Sequence, residues 1–146
     1  LPMARLKLDI PENLPFATEL EVRVGDVNYG GHLGNDALLG LLHEARIRFL
    51  NRLGFREDDV AGHGLIMSDA AIVYKAQARL GDRLRIEVGT AEFHGSGCDV
   101  VYRVVRVPDG TLVALAKTGI VVFDYERGRP VRWPETAREA FARGDK

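Results

Sequence analysis

Hydrophobic and polar positions alternate through residues 17–25 (ATELEVRVG), with Leu20, Val22 and Val24 on one face and Glu19, Glu21 and Arg23 on the other. That period of two predicts a half-buried strand. Pro11 and Pro15 punctuate the stretch before it, and Gly25, Gly30, Gly31 and Gly34 mark a loop of unusual backbone shape after it. The period then changes. Leu38, Leu42, Ala45 and Phe49, widened by Leu39, Leu50 and Leu53, form a stripe that predicts a helix from Asp36 to Leu53. Asn35 or Asp36 suits its cap, and Gly54 suits the left-handed residue just past its end. Leu41 and Ile47 fall outside the stripe, so the helix is apolar over much of its circumference and is expected to be wrapped by other elements.

Residues 57–64 read as a loop or a short turn of helix. Four strand-like segments follow at 65–78, 83–94, 98–107 and 112–124, separated by Gly81-Asp82, Gly95 to Gly97, and Pro108-Asp109-Gly110. The second is clearest, with Leu84, Ile86 and Val88 alternating against Arg85, Glu87 and Gly89. No gap is long enough for a parallel crossover helix, so antiparallel hairpins are expected. A short polar helix at 135–143 completes the pattern. The fold class is α+β, one domain over residues 1–146, an antiparallel sheet wrapped around one long central helix. Exposed sheet edges need cover, so at least a dimer is expected.

Composition narrows the function classes. A chain of 146 residues supports one core, and 46% hydrophobic with 28% charged residues matches a soluble globular protein. Twenty Lys+Arg against twenty-one Asp+Glu leave a charge of −1, which excludes a broad electrostatic grip on nucleic acid. The single cysteine, Cys98, excludes an internal disulfide and a multi-cysteine metal site, and no cofactor is expected. No apolar run approaches the roughly 20 residues that span a bilayer. Residues 1–9 lack a signal peptide's apolar centre, so a cytoplasmic protein is expected, with Met3 the native start after a Leu1-Pro2 remnant.

The residues with chemical potential crowd into 26–36. Asp26, Asn28, His32 and Asn35 lie in a glycine-bent link between a strand and a helix start. Glycines let backbone N–H groups approach a ligand, and a helix N-terminus favours developing negative charge, such as an ester or thioester oxyanion. The plainer alternative is a connection whose polar groups cap the helix and satisfy one another. His32 can orient a carbonyl or shuttle a proton, or simply hydrogen bond within the loop. Glu44, the only acid in mid-helix, lies opposite the Leu38/Leu42/Phe49 stripe, with Gly40 leaving space one turn earlier. Facing a cleft lined by Leu41 and Ile47 it would be a general base; otherwise it pairs with Arg48 at i,i+4. His43, His63 and His94 read as structural, and Cys98 faces the core. Nucleophile-elbow, nucleotide-loop and zinc-helix motifs are missing.

The stretch from Val22-Arg23-Val24-Gly25-Asp26 through His32 to Glu44-Ala45-Arg46 resembles the hotdog-fold thioesterases of the 4-hydroxybenzoyl-CoA thioesterase type. Tyr74 to Ala78 with Gly81-Asp82 (YKAQARLGD) resembles that family's tyrosine strand and Gly-Asp turn, and Gly128-Arg129-Pro130 with Pro134 resembles its tail. The resemblance implies a hotdog acyl thioesterase acting on acyl-CoA or acyl-carrier-protein thioesters, as a homodimer or homotetramer with sites between protomers. In its best-known members an Asp four residues before the position of His32 is nucleophile or base. Asn28 stands there instead, and an amide can be neither. In the plant-type acyl-carrier-protein thioesterases a Glu lies twelve residues after the loop His, where this chain has Glu44. The resemblance thus implies that Glu44, with Asp26 as rival, activates water while Asn28 and His32 orient it or the substrate. The Asn35 amide at the helix start would stabilise the oxyanion. Tyr29, Gly31 and Gly40 are the expected substrate contacts, with Lys75, Arg79 or Arg129 meeting CoA phosphates. Two other readings stay open: a non-catalytic acyl-CoA binding module, and a hotdog enoyl-CoA hydratase or dehydratase.

Overall fold

The computed structural model describes residues 5–144, so Leu1, Pro2 and Met3 lie outside the described residues. Strands β1 (Phe16–Glu21), β2 (Gly64–Tyr74), β3 (Arg83–Ala91), β4 (Gly97–Val107) and β5 (Thr111–Asp124) form one antiparallel sheet in the order β1-β3-β4-β5-β2. A two-residue strand, β6 (Arg129–Pro130), pairs with β5 and was not expected. Helix α1 spans Asn35–Leu53 and α2 spans Glu135–Arg143. The β3–β4 and β4–β5 hairpins and the central helix are present as expected, and the α+β class holds. However, β2 forms no hairpin with β3: it lies at the far edge of the sheet, paired with β5, while β1 takes the place beside β3.

Alternation works where it is strongest. On β3, Leu84, Ile86 and Val88 are fully buried, and they meet Val100, Tyr102 and Val104 of β4 and Leu38, Leu42, Ala45 and Phe49 of α1 in one core. Gly54 ends α1 at φ 87°, the left-handed conformation that suits a residue without Cβ. The helix start differs from expectation. Its cap is Gly34, with no side-chain cap bond, and Asn35 is already the first helical residue.

The first strand is shorter than its alternation predicts. It stops at Glu21, and a tight turn at Val24–Asp26 leaves Val24 76% exposed instead of on the core face. The cause is local: the Asp26 carboxylate accepts the Arg23 backbone N–H at 2.9 Å and bends the chain. Likewise β2 stops at Tyr74, after which the N–H groups of Lys75 and Ala76 both turn to the Val113 carbonyl. The second helix is amphipathic rather than polar throughout. It buries Ala137, Ala140 and Phe141, and the Phe141 ring packs among Phe49, Phe55 and Trp133.

Two features position everything else. Residues 10–12 cross the outer face of the sheet, where one guanidinium, Arg103, donates to the carbonyls of Ile10, Pro11 and Glu12 while Glu87 holds it. Gly89 lies beneath Leu14 and Pro15, where a Cβ would collide with both side chains. On the inner face, α1 packs chiefly on β1 and β3. The edge strand β2 is therefore left open, with Met67, Ala70 and Tyr74 exposed and Ile72 half-buried. Among the described residues no helix is long and apolar enough to cross a membrane.

Candidate active site

The loop between β1 and α1 is folded by its own amide. Asn28 Oδ1 accepts the backbone N–H groups of Gly30 (2.9 Å) and His32 (3.3 Å), while the Asn28 N–H donates to the His32 carbonyl at 2.8 Å. Gly31 completes the turn at φ 78°. The hairpin is pinned at both ends, by Gly34 N–H to the Asp26 carbonyl and by Leu33 N–H to the Ala78 carbonyl. Asp26 itself is buried, with both carboxylate oxygens engaged by Arg23. These hydrogen bonds, then the charge, hold the Arg23 guanidinium above its usual value, and Glu44 adds a smaller push.

The pinned loop delivers the helix start to a cavity of about 280 Å³. Leu33, Leu38, Ala78 and Val113 give it apolar walls, and Asn35, Tyr74 and Lys75 stand at its polar side. The Asp36 N–H is taken by Asn35 Oδ1 at 3.0 Å and the Leu38 N–H by the Gly34 carbonyl. The Asn35 and Ala37 N–H groups have no acceptor among the described residues, so two donors of the positive helix end remain available, of which Asn35 belongs to the cavity wall. The Tyr74 hydroxyl donates to the Asn35 carbonyl at 2.8 Å. Burial, with a contribution from Asp36, holds the phenol above its usual pKa, so it stays a neutral donor at physiological pH.

Glu44 lies elsewhere. With Gly40, Leu41, Arg23 and Arg48 it lines a second cavity of about 290 Å³ against β1, and Ile47 is not among its walls. Its Oε2 accepts Arg48 Nε at 3.0 Å, and Arg48 also donates to Thr18 Oγ1 at 2.7 Å. Of the other expected residues, Tyr29 is fully exposed at the loop tip and Arg79 is exposed, its backbone bridged to His32. His32 is half-buried, and its Nε2 is shielded from solvent with no hydrogen-bond partner among the described residues. Lys75 joins the Asn35 cavity, whereas Arg129 pairs with Asp124 at the opposite end of β5 from Val113. Cys98 is buried as expected, and burial drives its thiol pKa well up.

Sequence reasoning missed a buried polar group elsewhere on α1, outside the walls of both cavities. Arg46 is only 4% exposed, donates to the Tyr102 hydroxyl at 3.1 Å, and lies 3.7 Å from Glu57. Tyr102 in turn bonds Thr118, and Glu57 meets His43 at 2.6 Å. The group has no local signature because it joins α1 to the segment after it, through Glu57, and to β4 and β5, through Tyr102 and Thr118.

A family model described as the thioesterase-like superfamily matches residues 22–141. The chain belongs to that superfamily. Among relatives of this thioesterase-like chain, the chloroplastic acyl-acyl carrier protein thioesterase ATL3 of Arabidopsis thaliana is 27% identical over 128 residues. That match covers 84% of this chain, which spans 65% of the relative's length. A thioesterase from Thermus thermophilus, solved with coenzyme A and zinc, is 26% identical with a TM-score of 0.75, covering 87% of this chain and 97% of that one. The 1,4-dihydroxy-2-naphthoyl-CoA thioesterase from Synechocystis shares the fold at a TM-score of 0.79 and 21% identity, covering 86% and 94%. The hotdog architecture expected for the chain is the one these structures share.

Proposed function

We propose that this protein hydrolyses an acyl thioester, of CoA or of an acyl carrier protein, at the start of α1. The observation that carries the reading is Asn35, whose N–H is unengaged among the described residues, in the wall of a largely apolar cavity at a helix N-terminus. A thioester carbonyl set there would have its oxygen beside a donor oriented before the reaction begins. Water adds to the carbonyl carbon, the oxyanion is held by that N–H, and collapse expels the thiolate, which takes up a proton. The acyl group occupies the Leu33/Leu38/Ala78/Val113 surface, and Lys75 and Arg79 meet the phosphates of the thiol carrier.

The carboxylate that activates water is Glu44, with Asp26 the rival, and Asn28 and His32 orient water or substrate. Nine residues separate Glu44 from Asn35, about 13 Å along the helix axis. A Glu44 carboxylate therefore serves the carbonyl at one Asn35 from a second copy of the chain. The uncovered inner face of β2 offers the place for that copy to dock, giving a homodimer or a pair of dimers. Asn28 favours a second reading, an acyl-CoA binding module: its carbonyl is spent on the loop, and an amide is no base.

The test is free-thiol release from short, long, branched and aromatic acyl-CoAs, run beside Glu44→Ala. Turnover with a chain-length optimum, lost in the variant by at least about a hundredfold, supports hydrolysis through Glu44. Acyl-CoA that raises Tm without any thiol release selects the binding module. An enoyl-CoA that gains water with its thioester intact selects a hydratase.

A further inference from the structure

The Tyr74 phenol is used by nothing in the reaction just described, yet among the described residues it makes the one side-chain hydrogen bond between the edge strand and the start of α1. Tyr74 sits at the last position of β2, opposite Ala114 of β5, and its ring borders the same cavity as Asn35. The contact joins residues 39 positions apart, from a strand that α1 otherwise barely touches. The helix's own side chains do little to fix that turn: the cap residue Gly34 has none, and the Asn35 side chain is occupied by Asp36 N–H. The first turn of a helix is also where its backbone is held by fewest bonds.

We propose that Tyr74 is a positioning residue for thioester hydrolysis: its hydroxyl tethers the Asn35 carbonyl, one peptide unit beyond the Asn35 N–H, to β2 and so limits how far the first turn of α1, and that N–H with it, can shift at the cavity. The inference rests on the hydrolytic reading above, and it adds a role that the oxyanion donor alone does not supply. A donor free to swing by a fraction of an ångström binds the substrate carbonyl and the oxyanion about equally, which leaves KM and lowers kcat. The phenol proton is given to the Asn35 carbonyl, not to the reacting groups. It acts through the backbone of Asn35 alone, and the exposed half of its ring leaves the variant free to fold.

Tyr74→Phe keeps the ring as cavity wall and removes only the tether. Its kcat is expected to fall between about tenfold and a hundredfold, with KM within twofold of wild type and Tm unchanged. Tyr74→Ala, which also removes the wall, is expected to raise KM in addition. An unchanged kcat in Tyr74→Phe overturns the proposal, as does a fall seen only in KM. The Asn35 amide resonance is followed by NMR in the same two proteins, with no substrate present. A shifted resonance with several-fold faster hydrogen exchange in Tyr74→Phe supports the tether whether or not any acyl-CoA is turned over. An unmoved resonance overturns it, while absence of thiol release from the wild type counts against the hydrolytic reading alone.

Discussion

Arg46 donates to the Tyr102 hydroxyl at 3.1 Å in the space between α1 and the sheet, where neither residue meets water. A buried guanidinium depends on its counter-charge, and the carboxylate nearest it is Glu57, which is itself partly exposed. Glu57→Gln is expected to destabilise the fold by about 2–3 kcal/mol, less than a fully buried pair because Glu57 keeps some water. Replacing Arg46 by Met, Tyr102 by Phe and Thr118 by Val removes the charge, the hydroxyl it binds and that hydroxyl's own partner at once. That triple variant is expected within about 1 kcal/mol of wild type. Urea unfolding of the set checks both, and equal losses would show that the charge is not what matters.

Asn28 is a loop-builder before it is anything else. Asn28→Ala leaves the Gly30 and His32 N–H groups without their acceptor and is expected to cost about 1 kcal/mol. Asn28→Asp keeps an acceptor oxygen in the same place, so its stability should match wild type and its kcat should equal or exceed it. Denaturation midpoints and thiol release measure the two effects separately.

If Glu44 serves the helix start of a second copy, mixed oligomers distinguish the subunits. Inactive Glu44→Ala mixed with an Asn35→Pro chain, which lacks the N–H, is expected to recover up to about a quarter of wild-type activity. Subunit exchange in a random mixture sets that ceiling, because each hybrid dimer carries one intact site. Proline is tolerated in the first turn of a helix. Zero recovery, with exchange verified by mass spectrometry, would place both groups on one chain.

Gly40 lies in the interior of α1 with nothing within 4 Å of where a Cβ would sit. Alanine there should stabilise the helix by about 0.8–1 kcal/mol. The same methyl group would enter the Glu44 cavity, so a raised Tm should accompany a raised KM if substrate passes close to this face. Melting curves and Michaelis plots on one variant decide it.

Asp69 accepts Lys117 Nζ at 2.9 Å and the Gly119 N–H at 3.0 Å, and the lysine hydrogen bond holds its carboxyl below the usual 3.8. A carboxylate with a lowered folded pKa gives stability that is full above its unfolded value and is lost as pH falls through the folded one. Tm should therefore decline below about pH 4, and Asp69→Asn should flatten that limb slightly, since the pair is largely in water. A melt series from pH 7 to 3 tests the slope.

What the chain disclosed in advance follows the range of the forces involved. Leu84, Ile86 and Val88 could be read because alternation is local, and Gly54 because a helix stop is local too. Val24 misled because a single carboxylate, Asp26, bent the strand three residues early. The clustering of Asp26, Asn28, His32 and Asn35 was legible, but which atoms stay available was not. Asn28 Oδ1 is consumed by N–H groups that only the folded turn presents. Arg46–Tyr102 and Tyr74–Asn35 join residues 56 and 39 apart, so no window of sequence contains them.

The Arg103 clamp carries a practical consequence for handling the protein. One guanidinium gripping three consecutive carbonyls makes residues 10–12 part of the wall behind the sheet. A chain begun after Leu14 would bare Gly89, Val101 and a charge with no carbonyls to hold. Such a truncation trades a sealed back wall for an adhesive one, and its cost would be met first in shelf life and precipitation rather than in turnover.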